Sequence, residues 1–165
     1  MFLDDFAYMR EAIALAEEAG RAGEVPVGAV IVDRNTGAVI GRGRNRVEAD
    51  RSPTAHAEML AIAEAAKLRG SRLTDCSLYV TLEPCPMCSG AIVMARITRV
   101  IFGAYDERQG GVCSAAKLLS LPQSHRPRVT AGLLEEPCAA LLQQFFRTIR
   151  GEESDKPQET EQFSE

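Results

Sequence analysis

The sequence predicts a three-layer α/β/α domain, a mixed central sheet of about five strands flanked by helices. Three observations carry this. β-branched and apolar runs fit for buried strands occupy 24–33 and 76–82. Segments of helical apolar spacing occupy 4–20, 54–68 and 136–150. Their order, α-β-β-α-β-α-β-(α/β)-α, places helices on both faces of one sheet.

Asp4 and Asp5 suit a helix N-terminus, Phe6, Met9, Ile13 and Ala16 recur at helical spacing, and Gly20 and Gly23 end the segment. Residues 24–33 (EVPVGAVIVD) read as a strand, Asn35-Thr36-Gly37 as a turn, and 38–42 as the returning strand of a hairpin. A polar loop follows over 43–53. The helix at 54–68 sets Met59, Ile62, Ala63 and Ala66 on one face. Strands are expected at 76–82 and 98–104, with a short helix between them at 84–95 that tolerates Pro86 in its first turn. A short helix at 117–121 and an edge strand at 128–131 lead to the last helix, which turns Cys138, Leu141, Leu142, Phe145 and Phe146 inward or nearly so.

At 165 residues, one domain is expected, and a chain of that length buries enough surface to need no disulfides. Ordinary glycine and proline counts with 45% hydrophobic residues exclude collagen-like and wholly disordered chains. No run of ~18 apolar residues occurs, and Met1-Phe2-Leu3-Asp4-Asp5 lacks the basic flank of a signal peptide, so no membrane partner and a cytoplasmic location are expected. In a reducing compartment, five cysteines point to metal binding, catalysis or core packing before disulfides. The net charge of −4 is unevenly spread. Residues 151–165 carry six acids and one base, leaving residues 1–150 at +1. The expected organisation is therefore one domain over 1–150 and an acidic, disordered tail over 151–165.

The chemistry gathers at His56 and Cys85-Pro86-Met87-Cys88. If Pro84 opens a helix, both sulfurs lie on one face of its first turn, where the helix N-terminus favours the thiolate that binds metal. Thiolate plus imidazole selects Zn²⁺, and three ligands without an evident fourth mark a catalytic site with one position open to water. Glu58, two residues after His56, faces the other way on a regular helix. The two serve one site only if it overhangs the helix start, so two helix N-termini are expected to converge on the metal. A fourth thiolate from Cys76, Cys113 or Cys138 would instead make the site structural. For each of these a small buried hydrophobe is the simpler role.

The order His-x-Glu, then Pro-Cys-x-x-Cys, is the known signature of zinc deaminases and is recognised here by resemblance. Together with residues 24–29, 53–58 and 78–89, Phe102-Gly103-Ala104 with Asp106, and 138–150, it makes the chain from about Phe6 to Arg150 resemble the bacterial tRNA-specific adenosine deaminases of the cytidine deaminase superfamily. The resemblance implies a cytidine-deaminase-like fold and one Zn²⁺ per subunit on His56, Cys85 and Cys88, with Glu58 as proton shuttle. It places Asn45 on the flipped nucleoside, and Val27, Gly28 and Ala29 around its base. Asp106 would hold a neighbouring nucleotide, with Phe145, Phe146, Arg147 and Arg150 near the RNA. The reaction implied is hydrolysis of adenosine to inosine at the wobble position of a tRNA anticodon loop, tRNA-Arg by resemblance, in a homodimer.

Tyr105 stands where many relatives carry a basic residue, turning a phosphate contact into a stacking one. Glu48 and Asp50 put acids in an RNA-facing loop, residues 124–128 lack an Asn often found before the His, and Cys113 replaces a small residue without a thiol. Arg44, Arg46, Arg51, Arg126, Arg128, Arg147 and Arg150 are candidate phosphate contacts. Two other readings share the motif: a free guanine or cytosine deaminase, and a non-catalytic RNA-binding protein stabilised by zinc. Glu58 argues against the second.

Overall fold

The computed structural model describes residues 4–122 and 125–151; the acidic segment 152–165 lies outside the described residues. Four helices, α1 (Asp5–Arg21), α2 (Ala57–Arg69), α3 (Pro86–Met94) and α4 (Glu135–Ile149), surround five strands, β1 (Gly28–Asp33), β2 (Val39–Arg44), β3 (Cys76–Leu82), β4 (Arg99–Ala104) and β5 (Arg128–Ala131). A 3₁₀ turn, Leu118–Ser120, stands where a short helix was expected.

The strands are ordered β2-β1-β3-β4-β5. β1 pairs antiparallel with both β2 and β3, and the pairs β3–β4 and β4–β5 are parallel. Alternate residues of the central strands enter two separate cores. Ala29, Ile31, Leu78, Val80, Val100 and Phe102 pack with Ala57, Ala61 and Ala65 of α2 and Ile92 of α3. Val30, Val32, Tyr79 and Ile101 pack with Met9 and Ala12 of α1 and Cys138 of α4. These are the three predicted layers.

Several boundaries move for physical reasons. The first strand begins at Gly28, not Glu24, because Val27 turns back in a tight bend with its N–H on the Val25 carbonyl at 2.8 Å. The second strand runs on to Arg44, into the stretch read as loop, because Gly41 and Gly43 lie against α2. A Cβ on Gly43 would stand 2.0 Å from the Ala57 carbonyl oxygen, and one on Gly41 2.3 Å from that of Ala61. Gly28 meets α1 in the same way, 2.0 Å from the Ala12 carbonyl oxygen.

This close approach also corrects the predicted helix faces. α2 buries Ala57, Glu58, Ala61 and Ala65, and α1 buries Met9, Ala12, Ala16 and Ala19. Ala63 and Phe6, predicted on the inner faces, are exposed, while Met59, Ile62 and Ile13 are only partly buried. Glycine opposite a helix leaves room only for alanine. On α4 only Cys138 is fully buried, Leu142 is partly so, and Phe146 is 42% exposed.

Candidate metal centre

The third helix opens at Pro86, not Pro84, so Cys85 is its N-cap and Cys88 lies in its first turn. His56 is likewise the N-cap of α2 and Glu58 its second helical residue. Neither cap side chain caps its own helix. Both have extended backbone, and their side chains are free of capping to meet each other. The expected convergence of two helix N-termini is the geometry observed.

His56 Nδ1 lies 3.6 Å from the sulfurs of both Cys85 and Cys88. The three donor atoms all fall within 4.8 Å of one another. Tetrahedral zinc, at ~2.3 Å from sulfur and ~2.0 Å from nitrogen, holds those atoms about 3.6 Å apart. The donor set and its spacing therefore fit zinc. Among the described residues this group has three members. Cys76 and Cys138 are buried in the two cores, and Cys113 is partly buried against the first of them, so no fourth thiolate joins.

The electrostatics suit a cation. The Cys85 thiol is lowered to about 4, chiefly by the hydrogen bond from the Cys88 thiol and, against the opposing effect of burial, by the one from His56. The Cys88 thiol is pushed up because it donates to Cys85 and is buried. His56 is raised by its bond to Cys85. Glu58 is 4% exposed, and burial pushes its carboxyl up to about 7. The Cys85, His56 and Cys88 side chains all act on its charge, which places it beside the donor group. A divalent cation held by the three donors would favour the charged form of that carboxyl by attraction.

The other predicted residues divide. Asn45 is 8% exposed and its N–H bonds the Val27 carbonyl at 3.0 Å, and the next N–H, of Arg46, bonds the Ala55 carbonyl beside His56 at 3.0 Å. Asn45 and Val27 therefore sit at the end of the sheet where α2 begins. Val27 and Ala29 belong to the core on the α2 side, whereas the side-chain position of Gly28 is filled by α1. Asp106 Oδ1 accepts the N–H groups of Arg108 and Gln109, both at 3.0 Å. Tyr105 is 44% exposed and meets Phe102 edge-on at 5.2 Å. Phe146, Arg147 and Arg150 are exposed on the end of α4, outside the donor group. Arg46 is turned onto Asp50 at 2.7 Å, which neutralises one of the two acids in that loop.

Three buried carboxylates, Glu24, Asp33 and Glu83, went unread in the sequence. Glu24 accepts the N–H groups of Glu48 and Ala49, at 3.2 and 2.8 Å. Glu83 gathers donors from the loop after β4. The available signal was an acid closing an apolar strand immediately before Pro84-Cys85.

Fold and donor set define a zinc-dependent deaminase, and the family model of the cytidine and deoxycytidylate deaminase zinc-binding region matches residues 4–104. A tRNA-specific adenosine deaminase of Bacillus subtilis is 47% identical over 88% of this chain and 91% of its own length. A structure from work on A-to-I editing by tRNA:A34 deaminases at the wobble position of transfer RNA superposes with a TM-score of 0.79 at 43% identity, over 82% of this chain and 99% of that one. The guanine deaminase of Nitrosomonas europaea superposes at 0.71 with 27% identity, over 88% of this chain and 86% of that one. The chain belongs to the tRNA-specific adenosine deaminase family.

Proposed function

We propose that the protein hydrolyses adenosine to inosine at the wobble position of a tRNA anticodon loop, releasing ammonia. The observation that carries this is the meeting of His56, Cys85 and Cys88 beside the buried Glu58 carboxyl, in a chain with a 47% identical relative named tRNA-specific adenosine deaminase and a 43% identical structure from work on wobble-position editing.

His56, Cys85 and Cys88 would hold zinc, which when bound would supply a Lewis acid that lowers the pKa of water. Glu58 takes a proton from the attacking water and delivers it to ring N1, which makes C6 electrophilic. After oxygen adds at C6, the same carboxylate takes the remaining proton of that hydroxyl and gives it to the amino group, which leaves as ammonia as the C6 carbonyl forms. Asn45 hydrogen-bonds the flipped nucleoside, and Val27, the Gly28 backbone and Ala29 border its base. Asp106 holds the adjoining nucleotide, Tyr105 offers a stacking face, and Phe146, Arg147 and Arg150 meet the RNA beyond. An anticodon loop suits such a site because its bases are already unpaired.

The finer reading is a cytoplasmic homodimer acting on tRNA-Arg. No helix among the described residues is long and apolar enough to cross a membrane. Leu68 on α2 and Met94 on α3, 69% and 83% exposed, provide apolar surface for a second copy. An ammonia-release assay comparing an anticodon stem-loop with free adenosine, guanine and cytosine tests the function. Inosine at the wobble position supports it. Turnover of free guanine or cytosine with an untouched stem-loop overturns it in favour of nucleobase deamination.

A further inference from the structure

We infer that Glu83 is a positioning residue for the RNA substrate, clamping the loop that carries Asp106 onto the metal-ligand segment. The inference rests on the deaminase reading above and adds a residue to it.

Glu83 directly follows β3, stands two residues before Cys85, and is 2% exposed. Its own N–H bonds the Ala104 carbonyl at 2.8 Å, which fixes its backbone to the end of β4. One carboxylate oxygen, Oε1, accepts the N–H groups of Val112, Cys113 and Ser114 at 3.2, 2.6 and 2.9 Å. The other, Oε2, accepts the N–H of Asp106 at 3.1 Å and the Ser114 hydroxyl at 2.5 Å. Five donors from both ends of one loop thus meet one buried carboxylate. No helix or strand spans 105–117, so these bonds set the course of that segment.

The loop is also pressed onto the ligand segment. The Gly111 N–H bonds the Pro84 carbonyl at 2.7 Å. A Cβ on Gly111 would stand 2.8 Å from the Pro86 nitrogen, and one on Gly110 2.4 Å from the Glu83 carboxylate. Burying a carboxylate is costly unless it is fully hydrogen-bonded, and here backbone amides and one hydroxyl do this without a cation. Merely closing the connection after β4 does not require such a charge beside the metal ligands. What the arrangement achieves is a fixed distance between Cys85 and Asp106. Within the loop, Asp106 Oδ1 is engaged by Arg108 and Gln109, which leaves Oδ2 to meet the nucleotide.

Glu83→Gln isolates the effect. If the amide oxygen keeps the three N–H groups of 112–114, its NH₂ faces the Asp106 N–H, donor against donor. The full-length zinc-loaded enzyme and the variant are compared on an anticodon stem-loop, with zinc content and hydrogen exchange measured in parallel. Loss of one charge-assisted bond predicts a KM raised about tenfold with kcat changed less than about threefold. Zinc stays at about one per chain, and faster exchange is confined to 105–114. Ser114→Ala, which deletes one surface-side anchor, gives a smaller KM rise in the same direction and serves if Glu83→Gln does not fold. Unchanged exchange and KM overturn the clamp, as does a fall in kcat that tracks lost zinc. A wild-type enzyme inactive on the stem-loop refutes the adenosine reading instead, and the exchange comparison then decides the clamp alone.

Discussion

Glu58 and His56 are two residues apart and face one site because the first is inside α2 and the second is its cap. That division of roles is separable by mutation. Glu58→Ala removes a proton carrier but no donor atom of the three-residue group, so zinc should remain near one per chain while kcat drops ~10²–10⁴-fold, the usual worth of a positioned acid-base group. Cys85→Ser removes a donor and should lower zinc content together with activity. Metal analysis beside initial rates checks both, and unaltered zinc in Cys85→Ser contradicts the ligand assignment. These residues were legible in the sequence because a metal site imposes residue type and spacing at once. Glu83 and Glu24 were not legible. Their partners stand 23–31 and 24–25 residues away, and an acid beside a strand reads equally well as solvated surface.

The elements were readable in type and order, because β-branched runs and helical spacing report burial directly. Which face of each helix turns inward was not. The first two helices approach the sheet so closely that glycines 28, 41 and 43 face alanines, and a reading based on large apolar residues selects the flanking positions. That closeness has a functional consequence at Gly43. Its missing Cβ would stand 2.0 Å from the Ala57 carbonyl oxygen and 2.7 Å from the Ala61 nitrogen, backbone atoms that cannot rotate aside. Gly43→Ala should therefore displace the first turn of α2 and cost about 1–3 kcal/mol, as overpacking does. Because His56 caps that turn, zinc retention in a chelator titration should fall with it. A variant of lower Tm but unchanged zinc affinity would show that the α2 start moves independently of its cap.

Across the whole molecule, carboxylates tie the helical layers to the sheet, and two of them, Asp5 and Asp33, are held below the usual carboxylate range. Asp5 of α1 reaches Arg99 of β4 at 2.9 Å and accepts the Tyr79 hydroxyl of β3 at 2.6 Å. Asp33 at the end of β1 accepts the Asn35 N–H at 2.8 Å and pairs with Arg69 at the end of α2. Burial raises the Asp5 carboxyl, but Arg99 and Tyr79 outweigh it and hold it below the usual carboxylate range. Asp33 is held low first by the Asn35 N–H and then, against burial, by Arg69. Each folded-state pKa is thus below its unfolded value of ~3.9, so the stabilisation is complete above that pH and is lost as pH falls through the folded value. Acid also protonates the metal donors, so wild-type melting alone confounds the two effects. The difference between wild type and variant removes the shared metal contribution. Asp33→Asn, at a side chain only 6% exposed, should cost about 1–3 kcal/mol at neutral pH, the usual loss when a hydrogen bond to a charged group is broken. That difference should hold steady down to about pH 5 and shrink toward zero below the folded pKa. Asp5→Asn should follow the same course with a smaller amplitude, since its carboxylate is more open to water than that of Asp33. A difference that stays constant from neutral to strongly acid pH would mean that these side chains contribute shape and not charge to the joining of the layers.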